Sequence, residues 1–102
     1  MTKIQSGFQI QNDPRADYSV PLPTATWFPS LKQAKRAAVL AMVEAQKRSG
    51  SVESERDGGP YEDDSREDAA TTFFLNSPWS GVACLMIVAS DRWVEWMDEW
   101  PA

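Results

Sequence analysis

Apolar and polar residues alternate from Lys3 to Gln9 and on to Ile10. Ile4, Phe8 and Ile10 fall on one side with Ser6, and Lys3, Gln5 and Gln9 fall on the other. A period of two with one apolar side predicts a half-buried strand. Asn12-Asp13-Pro14-Arg15 then turns the chain, Asp-Pro being a breaker pair. Between Asp17 and Pro29 the prolines at 21 and 23 lack the N–H that a central strand needs. That stretch predicts an edge strand or an irregular arm around Tyr18 and Val20.

At Ser30 the period changes. Ser30 and Gln33 fit the capping box, and a helix is expected from about Leu31 to Arg48, ended by Gly50. Leu31, Ala34, Ala38, Ala41, Met42 and Ala45 share one face, and four of these six are alanine, so the helix can lie close against a sheet. On the opposite side Val39, Leu40 and Val43 stand among Lys32, Lys35, Arg36 and Lys47. The reading adopted is a wide apolar arc covered by loops, with lysine stems lying around it. The other reading is a basic, partly apolar binding face.

Residues 51–70 break all periodicity and predict a mobile acidic loop around Gly58-Gly59-Pro60. Thr71–Asn76 and Val82–Ser90 are strand candidates, divided by the turn residues Ser77, Pro78 and Gly81. Val82 to Val88 is apolar on both faces and is expected to be a central strand with cover on each side. For Asp91 to Trp100 two periods compete, and a helix capped at Ser90 gives the cleaner stripe of Trp93, Trp96, Met97 and Trp100. On that reading Trp93 and Met97 close the second face of the sheet. The expected fold is α+β, with a small antiparallel sheet of three to four strands packed on one long helix. Its order is β-α-β-β followed by a short C-terminal helix or strand, in a single domain over residues 1–102.

Composition narrows the chemistry. Histidine is absent and Cys84 is the one cysteine, which removes imidazole-activated nucleophiles, disulfides and the usual zinc sites. Cys84 lies inside an apolar run and reads as a small core residue. No catalytic residue, cofactor or metal is expected. An echo of a calcium loop runs from Glu53 to Asp64, but Glu53 and Glu55 are long where short side chains are wanted, and Asp64 replaces the bidentate glutamate. The longest apolar run is too short for a bilayer, and the N-terminal stretch lacks the apolar core of a signal peptide, so a cytoplasmic location is expected.

The net charge of −5 conceals an asymmetry. Residues 1–50 hold seven bases and three acids, and residues 51–102 hold three bases and twelve acids. Such a division concerns partners rather than fold. The acidic half argues against direct nucleic-acid binding and for occupation of a basic surface on another protein.

Two stretches carry a resemblance. FPSLKQAKRAAVLAM, from Phe28 to Met42, resembles the capped alanine-rich helix of small phage-encoded inhibitors of bacterial defence. LMIVASDRWVEW, from Leu85 to Trp96, resembles the closing strand of one anti-CRISPR family directed at type I surveillance complexes. Together they cover 27 of the 102 residues, about a quarter of the chain. The proline-rich arm and the acidic loop have no counterpart in that family, and its basic character is missing. The step from Tyr18 to Ala34 is also similar to HicB-type antitoxins, without their glycine between strand and helix.

The first resemblance implies stoichiometric inhibition of a nucleoprotein defence complex in a host cytoplasm, with no cofactor. The residues expected to meet the partner are Glu53, Glu55, Asp57, Glu62, Asp63, Asp64, Glu67 and Asp68 for charge. Tyr61, Trp96 and Trp100 are the aromatic anchors. The alternative is an antitoxin or immunity protein that neutralises a small basic toxin.

Overall fold

The computed structural model describes residues 2–48, 60–77 and 81–95. Its element order is β1 (Thr2–Gln5), β2 (Phe8–Asn12), β3 (Trp27–Phe28), α1 (Leu31–Arg48), β4 (Tyr61–Asp63), β5 (Thr71–Ser77), β6 (Gly81–Ala89) and β7 (Arg92–Glu95). Five strands form one antiparallel sheet in the order β3-β2-β6-β5-β4, and β1 pairs with β7 in a two-stranded ribbon. The α+β class therefore holds, with more strands than the three to four expected.

Ser30 starts α1 as its spacing predicts. Its Oγ accepts the Gln33 N–H at 3.2 Å, and its hydroxyl donates to Gln33 Oε1 at 3.0 Å. The box thus closes side chain to side chain rather than onto the Ser30 backbone. Lys47 and Arg48 occupy the last turn, where cations suit the helix dipole.

The nine-residue strand β6 is central. Residues opposite one another share a face, so Ile10, Ile87 and Thr71 form one row toward α1, and Phe73 with Leu85 and Leu75 with Ala83 form others. Ala34, Ala38 and Met42 are fully buried above these rows. Alanine at two of the three fully buried positions of α1 brings the helix backbone close to the sheet, and Met42 fills the remaining depth.

The other face of β6, with Cys84 and Met86, is also buried, but among the described residues no helix covers it. The arm after β2 runs on beside β6 in the plane of the sheet, and its Val20 joins the core on the α1 side. Asp13 N–H donates to the Cys84 carbonyl at 2.9 Å, and Asp17 N–H donates to that of Val82 at 2.8 Å. Tyr18 makes a parallel bridge to Ala83. The Asn12 side chain accepts the Val20 N–H at 2.8 Å and donates to the Val20 carbonyl at 3.0 Å, holding buried Val20 in place without a regular strand.

Three expectations change. The strand expected from Lys3 onward is two, because the Trp27 indole crosses it at Gly7. Trp27 Nε1 donates to the Ser90 carbonyl at 2.7 Å, and a Cβ at Gly7 would fall within the indole and 2.7 Å from the Phe28 carbonyl oxygen. Register survives the interruption, with Ile4 opposite Trp93 and Phe8 opposite Ala89. Residues 92–95 are strand rather than helix, since Thr2–Gln5 offers them a ladder and β-branched and aromatic side chains suit it. Trp93 is consequently 67% exposed on the ribbon and closes no sheet face, while Trp96, Met97 and Trp100 lie outside the described residues. Finally, residues 61–63 of the expected acidic loop form the edge strand β4.

Candidate partner-binding surface

Strand β4 and the turn into β5 bring Tyr61, Glu62, Asp63, Asp64, Glu67 and Asp68 to one end of the sheet, all of them exposed. Glu53, Glu55, Asp57, Trp96 and Trp100 lie outside the described residues. Pairing places Tyr61 opposite Phe74, and the two rings stack with centroids 5.6 Å apart. Tyr61 still leaves 46% of its surface to solvent, so the stack presents an aromatic group rather than burying one.

The carboxylates are not equivalent. Glu62 takes Lys35 Nζ at 2.9 Å and lies 2.9 Å from Thr71 Oγ1. The hydrogen bond from Lys35, supported by that from Thr71, holds its carboxyl below the ordinary glutamate range. Asp64 Oδ1 is also 2.9 Å from Thr71 Oγ1, so one hydroxyl hydrogen is shared between two acids. Asp63 caps its own turn by accepting the Ser65 N–H at 2.8 Å, and its carbonyl accepts the Thr72 hydroxyl. Asp68 meets Arg15 Nη2 at 3.3 Å. Glu67 makes no ion pair among the described residues. An exposed pair such as Lys35–Glu62 is worth little against water. The acids can therefore be redirected to an incoming cation at small cost.

One acid of different character is hidden in the expected turn. Asp13 is only 3% exposed, and its carboxylate is clamped from two sides. Arg15 Nε meets Oδ1 at 2.8 Å, the Arg15 N–H donates to the same oxygen at 2.9 Å, and Arg66 Nε meets Oδ2 at 2.9 Å. Hydrogen bonding from Arg15, outweighing the cost of burial and joined by Arg66, holds its pKa at about 2. Arg66 in turn sits 5.6 Å from the centre of the Phe74 ring, and Arg15 Nη2 lies 3.4 Å from the Met86 sulfur. This charged layer takes the place of the helix expected over the second face. Burial beneath it, with the Asp13 charge nearby, pushes the Cys84 thiol up to about 11. The sequence signal was slight: Asp13 followed two residues later by Arg15 reads as a turn, and its second arginine comes from far along the chain.

The contacts from Asp13 through Arg66 and Phe74 to Tyr61 order the aromatic group beside the acids. The arrangement can offer hydrogen-bonding backbone, negative charge and one ring to a partner. Among the described residues, no group of three or more acids or thiols is placed to hold a metal ion, and no helix is long and apolar enough to cross a membrane. Compared with family models, with curated proteins and with solved structures, the chain matches none.

Proposed function

We propose that the chain acts by binding a protein that carries a basic surface, stoichiometrically and without catalysis, through β4 and the turn that follows it. The observation that carries this reading is that β4 ends the sheet and no described strand pairs with its outer edge, while the acids and Tyr61 stand around it. An open edge takes an extended segment by strand addition, with main-chain hydrogen bonds giving affinity. The acids set the choice of segment: an acidic strand is repelled, a neutral one gains no charge pairs, and one bearing Lys or Arg gains them. Tyr61 supplies apolar area at low entropy cost. A basic groove on a nucleoprotein defence complex is such a surface, and inhibition of one in a bacterial cytoplasm is the role that the likeness to anti-CRISPR proteins suggests.

The test is capture of partners from a bacterial lysate followed by titration with the purified complex. Asp63→Asn, Asp64→Asn and Glu67→Gln together are expected to weaken binding at least tenfold and flatten its salt dependence. Tyr61→Ala is expected to weaken it without changing the salt slope. Unchanged affinity and slope in the triple variant would reject the reading. Recovery of one small basic toxin, in place of a nucleoprotein subunit, would move the role to antitoxin or immunity protein through the same edge.

A further inference from the structure

The acidic edge leaves the opposite charge of the chain unused. Helix α1 carries five bases and one acid, and of these bases only Lys35 is held in an ion pair among the described residues. Beside its C-terminal half the proline arm stands off the helix and leaves a trough of about 410 Å³. Leu22, Pro23, Leu40 and Val43 line it, together with the charged side chains of Glu44, Lys47 and Arg48. Leu40 is 62% exposed and Leu22 40%, while Val39 and Val43 are half-buried, so the apolar arc of α1 is covered only in part. The two prolines flanking Leu22 fix their own φ angles and so restrict the arm's backbone beside the trough.

We infer that this trough is a second docking surface, and that its occupant is an amphipathic helix of a protein partner with an apolar stripe flanked by Asp and Glu. The charge of the lining decides the sign of the partner: Lys47 and Arg48 outnumber Glu44, and the net positive end of the helix attracts carboxylates and repels a basic segment. The openness decides its kind. A small molecule is held by burying most of its surface, whereas this trough leaves both leucines facing solvent, the geometry in which a helix lays its apolar side into a groove. The inference is independent of the acidic edge, which takes a partner of opposite charge. A chain with both surfaces can hold two different segments of one complex at once, and their affinities then reinforce one another.

The test uses the full chain with its acidic edge neutralised by Asp63→Asn, Asp64→Asn and Glu67→Gln, and a displayed library of random 16-residue peptides selected for binding to it. Selected peptides are expected to carry leucine-like residues at helical spacing with Asp or Glu beside them. Measured by fluorescence anisotropy, a selected peptide should lose at least tenfold in affinity to Leu40→Glu. It should lose a similar factor, together with its salt dependence, to the double variant Lys47→Glu and Arg48→Glu. Amide shifts should move at residues 21–23 and 37–48. Leu40 is exposed, so unchanged thermal unfolding of L40E confirms that a loss is local. Enrichment of basic peptides, shifts confined to other residues, or tighter binding of a short single-stranded oligonucleotide at the same residues would each overturn the inference. Self-association that L40E abolishes would also overturn it, by making a second copy the occupant.

Discussion

Arg66 Nε donates to Asp13 Oδ2 at 2.9 Å, tying the turn after β2 to the turn before β5 across fifty-three positions of sequence. With Arg15 on the other oxygen, this contact roofs the sheet face that α1 does not reach. It also sets the guanidinium against Phe74, the ring on which Tyr61 stacks. A buried carboxylate thus supports both the core and the candidate surface.

Replacing Asp13 by Asn should destabilise the fold by about 1–3 kcal/mol, because the arginines lose a charged partner but can still reach water. Urea unfolding at neutral pH measures it. Tyr61 should become more mobile in the same variant, seen as a lower aromatic order parameter.

Acid sensitivity follows from the same residue. The folded-state pKa of Asp13 is about 2 against 3.8 ordinarily, a depressed value. The stability it contributes is therefore present above about pH 4 and is lost as pH falls toward 2. Stability of the native chain should fall across that window, and Asp13→Asn should lack that part of the slope. An equal slope in both would remove Asp13 as the cause.

Cys84 is 1% exposed, and its thiol is pushed up to about 11 by burial and by the Asp13 charge. A thiol-specific reagent at pH 8 should label it only at the rate of unfolding, since the thiolate is the reactive form. Rapid labelling of the folded chain would show that the charged layer opens without global unfolding.

Gly7 and Gly81 should not tolerate alanine. At Gly7 the added methyl enters the Trp27 indole, which shields the step between ribbon and sheet. At Gly81 the backbone has φ of 93°, and Asp17 occupies the space a Cβ would need. Each change should cost about 1–3 kcal/mol. Gly7→Ala alone should also alter Trp27 fluorescence.

Met42 and Leu40 are two residues apart on α1, yet Met42 is fully buried and Leu40 is 62% exposed. Met42→Ala should cost about 2–4 kcal/mol through lost burial and the cavity left behind, and Leu40→Ala should stay within about 0.5 kcal/mol. Thermal denaturation of the pair separates core from surface on one helix.

Much of this fold is written in local pattern. The limits of α1, its Ser30 start and its buried stripe of Ala34, Ala38 and Met42 follow from a period of 3.6 and from capping chemistry, which depend on neighbouring residues alone. Central placement of β6 follows likewise from apolar residues on both its faces. What the pattern could not supply was each partner brought from a distance. The ribbon of Arg92–Glu95 depends on Thr2–Gln5 for its ladder, so a helical stripe of tryptophans looked self-sufficient until that ladder was present. Strand β4 forms from an acidic stretch because Thr72 to Phe74 offers it an edge. Cover for Cys84 and Met86 comes from an aspartate and two arginines whose pairing no period encodes. Residue type and spacing determined α1, the core strands β2, β5 and β6, and where apolar area must be hidden, whereas residues 61–63 and 92–95 are extended because a distant strand pairs with them. Only the tertiary structure decided which charges meet, since a charge pair is specified by position in space and leaves no regular mark along the chain.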